Sequence, residues 1–157
     1  MKIIKKILVF LLVVFVIMQF FGPDKNQGEL SSLDAFLAEA NPPENVKMIL
    51  KETCFDCHSN VTRYPWYNRI TPVNYWIDGH IDHGKGELNF SKWSSYSLKR
   101  KEHKMEEVWE EVAKKKMPLA SYTWTHSDAN LTQEQIDIVV TWAKKIQADY
   151  KTQMKAN

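Results

Sequence analysis

The chain of 157 residues has only two cysteines, and both lie in one short stretch, KETCFDCHSN, at Cys54 and Cys57. So few cysteines exclude a disulfide-rich scaffold. Surplus charge is nearly absent as well. A formal net charge of +2 is too small to draw the chain to nucleic acid, and no such partner is expected. No apolar–polar alternation of useful length occurs, so no strand is expected. There is no internal repeat and no low-complexity tract. What remains is the apolar and charged mix of one globular, all-α domain.

One long hydrophobic run does occur, at the N-terminus. Lys2, Lys5 and Lys6 precede an apolar stretch from Ile7 to Met18; Gln19, Phe20 and Phe21 follow, and Gly22-Pro23 is a helix breaker. A cleaved signal peptide has similar parts. Against cleavage, no small-x-small pattern stands near its end, and no cysteine is there to carry a lipid. A helix from Ile3 to Gly22 would be about 30 Å long, enough to span a bilayer if Lys5 and Lys6 reach back to the interface. Residues 1–22 are therefore expected to be a single-pass transmembrane helix in the cytoplasmic membrane, with the rest of the chain on the periplasmic, extracytoplasmic side. Residues 23–31, PDKNQGELS, read as a flexible linker. Residues 32–150 would form the domain and 151–157 a polar tail.

Within the domain the helical signals are short. SSLDAFLAEA can start from Ser31 or Ser32. Pro42-Pro43 opens a second helix whose Val46, Ile49 and Leu50 share one face. A third starts at Thr71-Pro72, aligns Val73, Trp76, Ile77 and His80, and closes at Gly84. Leu88, Phe90 and Trp93 plug a loop. Ser97 can cap a helix carrying Leu98, Met105, Val108, Trp109 and Val112, which must stop ahead of Pro118. The last helix has a capping box, Thr132 with Gln135, and a buried stripe through Ile136, Val139, Val140, Ala143 and Ile146.

Cys54, Cys57 and His58 admit three readings. A redox dithiol sits at a helix start after a strand, and here a helix precedes the pair. A zinc site could add His80 and His83, but at spacings outside the usual finger pattern. The third reading is covalent haem attachment, whose signature is C-x-x-C-H. Residues three apart on one helical turn lie about 5–6 Å apart on the same side. Two thiols so placed can each add to a vinyl group along one porphyrin edge, while His58 faces the iron as proximal ligand. This reading is the preferred one: a single covalent haem c. Asp56, inside the motif, has no required role and is expected to face water.

The iron then has a second face. Met48, Met105, Met117, Met154, His80, His83, His103 and His126 are the candidates. Met105 falls on a core stripe, Met48 is too close to the motif, and Met154 is in the polar tail. Met117 lies at a helix end with Pro118 holding it extended, free to turn its thioether inward, and is the expected distal ligand. His126 or His103 comes next. Methionine there would raise the potential relative to two histidines.

The order of parts resembles a c-type cytochrome, and more closely the small bacterial haem-binding domain proteins. The shared elements are PPENVKMILKETCFDCHSN, TRYPWYNRITPV, LNFSKW, KKKMPLASYTWTH and DANLTQEQI, covering about residues 42–146. The resemblance implies an exported single-haem protein, a bundle of short helices, with Cys54, Cys57, His58 and Met117 at the haem. The spacer between C-x-x-C-H and Met-Pro is longer and more aromatic than in ordinary small cytochromes c. Trp66, Tyr67, Trp76 and Trp93 are candidates to wall the haem. Tyr64 or Tyr75 could bond a propionate, and Arg63 or Arg69 pair with one. Lys114, Lys115 and Lys116 could form a basic rim for an acidic redox partner. The expected role is electron carriage between redox partner proteins at the membrane, rather than an enzyme's. The alternatives are a redox or gas sensor and a peroxidase-type enzyme.

Overall fold

The computed structural model describes residues 2–156, so Met1 and Asn157, the outer ends of the expected anchor and tail, lie outside the described residues. The apolar run forms α1 (Lys2–Met18), 17 residues long. The helix ends at Met18, and the Gln19 side chain ties that end to Thr71. Its Nε2 donates to Phe15 O at 2.8 Å and Thr71 O at 3.0 Å, and its Oε1 accepts from Thr71 N at 2.9 Å. The helix is thus about 25 Å long, against about 30 Å for a bilayer's hydrocarbon core. Among the described residues, no helix is long and apolar enough to cross a membrane. The expected transmembrane helix over residues 1–22 is therefore corrected. With it falls the single-pass placement of the domain on the periplasmic side. The sequence marks the breaker at Gly22-Pro23 but not the Gln19–Thr71 clamp, whose partners are 52 residues apart.

Residues 23–31 do not hang free. Asn26 Nδ2 donates to Ser59 O at 2.9 Å, Thr62 N to Asn26 O at 3.0 Å, and Gly28 N to Asn60 O at 2.7 Å. Gln27 and Val61 form an isolated antiparallel bridge. This stretch lies along the loop that follows the C-x-x-C-H motif.

The remaining architecture is helical, as the absence of alternation predicts. A 3-10 turn at Leu30–Leu33 leads into α2 (Asp34–Ala40), and Asn41, at φ 37°, ends it in the left-handed region that asparagine tolerates. Then come α3 (Glu44–Thr53) and the single turn α4 (Phe55–His58), with Cys54 the hinge between them. α5 (Val73–Glu87) runs three residues past the expected stop at Gly84 and buries Asn74, Ile81 and Gly84, leaving Trp76 exposed. α6 (Leu98–Ala113) has Ser97 Oγ accepting from Arg100 N at 3.3 Å. After the turn α7 (Ala120–Thr123) comes α8 (Gln133–Ala156), which packs along α6 and continues through the expected tail. The capping box forms: Gln135 N donates to Thr132 Oγ1 at 3.2 Å, and Thr132 N to Gln135 Oε1 at 2.9 Å.

The buried residues form two clusters. The larger centres on Phe36, Phe90 and Trp93, with ring centroids 4.4 Å apart for Phe36–Phe90 and 5.1 Å for Phe36–Trp93. Trp93 is fully buried there and its Nε1 donates to Tyr150 OH at 3.2 Å. The smaller cluster is Ile49, Val112, Ile136 and Val139, with Met117 and Leu131 packed on it.

The end of α6 aims Met117. Lys115 N donates to Val112 O at 3.0 Å and Lys116 N to Glu111 O at 2.9 Å, the paired bonds of a Schellman motif. That motif puts Lys115 at φ 55°, where glycine is the residue without strain. Relieving a left-handed lysine, less the added freedom of the unfolded chain, favours Lys115→Gly by about 0.5–1 kcal/mol. Denaturant unfolding should show the midpoint rising with an unchanged slope.

Candidate functional site

The motif turn and the segment after α6 meet at one cavity of about 320 Å³. Its size falls in the range of about 300–1,000 Å³ usual for small-molecule sites. Cys54, Cys57, His58 and Met117 all line it. The smaller cluster supplies one apolar wall through Ile49, Val112, Leu131 and Val139. His80, His83, Glu87, Glu107 and Glu111 supply its polar lining, and the exposure of His83 and Glu87 shows where it meets solvent.

The local sequence explains the motif's geometry. α3 ends at Cys54, and the chain starts a fresh helical turn that carries Cys57 and His58 on from it. His58 is held by α5: its Nδ1 lies 2.9 Å from Gly84 O and 3.0 Å from Leu88 O. Carbonyls only accept, so Nδ1 carries the hydrogen and Nε2 keeps its lone pair. Burial pushes the imidazole's pKa below its ordinary value, which keeps the ring neutral. A neutral ring oriented by backbone carbonyls is a prepared metal ligand.

Both cysteines are free thiols. Burial pushes each up to about 11, with the Asp56 charge adding to the shift. They are thus protonated at neutral pH, the reverse of what a redox dithiol needs. Among the described residues, no three His, Cys, Asp or Glu side chains come together to hold a metal ion. The zinc alternative of Cys54, Cys57, His80 and His83 is not assembled, although all four line the cavity.

The other distal candidates fall away from the cavity. Met105 is in the aromatic core, Met48 is exposed on α3, and His103 pairs with Glu106 and Glu107 on the surface. His126 stacks on Tyr122, with centroids 4.1 Å apart, beside a separate small cavity of about 50 Å³. His80 and His83 remain on the main wall with Met117.

Several expected placements are corrected. Trp93 belongs to the separate core and Trp66 is 76% exposed, so neither walls the cavity; the aromatic lining is Phe90 and Tyr122. Asp56 does not face water but is only 5% exposed. Its Oδ1 accepts from Arg63 N at 2.9 Å and Arg63 Nε at 3.2 Å. Its Oδ2 accepts from Arg63 Nη2 at 3.1 Å and Tyr122 OH at 2.7 Å. Arg63 is thereby committed to Asp56 and Glu52. Lys114 and Lys116 each pair with a glutamate of α6, so the expected basic rim is largely neutralised. The sequence carries no local spacing rule that pairs Asp56 with Arg63, which sits in the irregular segment after α4. Tyr122, 66 residues from Asp56, leaves no mark either.

An apolar cavity carrying two protonated thiols and a neutral imidazole with a free Nε2 suits a flat, metal-bearing prosthetic group. Residues 13–145 match the family model of the haem-binding domain, and the chain belongs to that family of haem-binding proteins. No curated protein and no solved structure matches it.

Gly84 sets how closely α5 approaches the motif. A Cβ there would lie 2.7 Å from Cys57 O and 3.1 Å from Cys57 Cβ. Helix propensity alone favours alanine over glycine by about 1 kcal/mol. The clash is with backbone and outweighs it: Gly84→Ala should cost about 1–3 kcal/mol by forcing α5 away. Haem incorporation per protein and the denaturant midpoint should both fall.

Proposed function

We propose that this protein binds one haem covalently and carries single electrons. The observation that supports this most is that Cys54, Cys57, His58 and Met117 line one apolar cavity. Bound haem supplies a one-electron Fe(III)/Fe(II) couple. In this reading Cys54 and Cys57 would hold the group by two thioethers: each S–H and one vinyl C=C π bond would give way to a C–S and a C–H bond, with no net oxidation or reduction. His58 presents Nε2 to the metal, and the carbonyls of Gly84 and Leu88 fix its ring. Met117 presents its thioether from the wall formed with Ile49, Val112 and Val139.

Electron carriage needs a shielded metal and little else. The apolar wall excludes water, which lessens the solvation of charge and with methionine ligation raises the potential. A peroxidase-type distal His/Arg pair finds no support, since neither Arg63 nor Arg69 lines the cavity. Redox partner proteins are proposed by the same reasoning, with no surface assigned to them.

Two substitutions test the ligand set in protein made in a host that can attach haem. Cys57→Ala should leave most haem extractable, read as loss of haem stain on a denaturing gel; full covalent retention would overturn the thioether assignment. Met117→Ala should abolish the weak near-infrared band of Met-ligated ferric haem, lower the midpoint potential and open the reduced iron to CO. If Met117→Ala leaves all three unchanged while His80→Ala or His83→Ala alters them, the distal ligand is an imidazole.

A further inference from the structure

We infer that Tyr122 is a positioning residue for Met117, a role that rests on the ligand set proposed above. Met117 and Tyr122 belong to one short segment that lines the cavity through Met117, Pro118, Leu119 and Tyr122. Among the described residues, the hydrogen bonds joining residues 117–126 to the motif-bearing α3–α4 turn come from Tyr122 alone. Its hydroxyl donates to Asp56 Oδ2 at 2.7 Å and approaches Glu52 O at 3.3 Å. Asp56 lies between the two cysteines, and Arg63 fixes both of its oxygens. The acceptor is therefore immobile and charged, which makes this bond stronger than one between neutral groups.

The surroundings give the bond its consequence. Tyr122 lines the main cavity and also the small one of about 50 Å³ behind it, so its ring stands at the boundary of two spaces. Met117 packs on the aliphatic cluster and Tyr67 OH holds Thr125, while the Tyr122–Asp56 bond is the polar tie from this segment to the turn that carries the proximal imidazole. Without it, the segment moves off more often and Met117 with it.

The test uses the haem-loaded full chain with Tyr122→Phe, which keeps the ring on His126 and removes only the hydroxyl. Tyr67→Phe is the control, since Tyr67 OH donates to Thr125 Oγ1 at 2.7 Å in the same segment without touching the motif turn. When Met117 must leave before CO binds, the CO rate on reduced protein reports how often it departs. Tyr122→Phe should keep covalent loading and helicity, weaken the near-infrared band and raise the CO rate about ten-fold, the scale of one charge-assisted hydrogen bond. Tyr67→Phe should match wild type. A Tyr122→Phe protein with wild-type band and rate overturns the inference, as does an equal change in Tyr67→Phe, which would mean general loosening. If Met117→Ala itself leaves band and rate unchanged, the ligand assignment fails first and the positioning role falls with it.

Discussion

The close approach of α5 to the motif turn governs the site. Gly84 lies so near Cys57 that no side chain fits between them. The same approach brings the carbonyls of Gly84 in α5 and of Leu88 just after it onto His58 Nδ1. One contact thus sets the tautomer of the imidazole, the direction of its free nitrogen and the closeness of the thiol-bearing turn. Were α5 farther out, both bonds that orient the ring would lengthen.

The apolar residues fall into two clusters that both reach the cavity. The large aromatic cluster around Phe36, Phe90 and Trp93 joins α2, the 3-10 turn after α5, α6 and α8. The small aliphatic cluster lines the cavity and is met there by Met117. Aromatic rings near a haem motif suggest a haem wall, but burial among themselves lowers their energy without any ligand. Two rings remain on the cavity, Phe90 and Tyr122, and Tyr122 contributes through its hydroxyl as much as its face.

What could be read from the sequence follows the range of the interaction involved. The capping box of Thr132 and Gln135 and the stop before Pro118 are determined within a few residues, and both are seen. The motif is a local chemical pattern, so the sharing of one turn and one cavity wall by Cys54, Cys57 and His58 was legible. That Met117 reaches the same cavity was legible from its place at a helix end, although the Schellman turn at Lys115 sets that place. Asp56 was misread because its exposure depends on Arg63 and on a tyrosine distant in sequence. The length of α1 was misread for the same reason: Gln19 meets Thr71 only once the chain has folded. Trp93 and Trp66 carry the same side chain but have opposite fates, and periodicity in their short segments distinguishes neither.

The aromatic cluster bears on how far the fold leans on a ligand. Small metal-dependent domains often stay unfolded until the metal arrives, because the ligand itself organises the chain. Here the rings of Phe36, Trp93 and Tyr150 pack together, and Trp93 Nε1 donates to Tyr150 OH, whose own proton goes to Glu39 Oε1. These contacts are made between protein groups alone, so emptying the cavity would remove none of them.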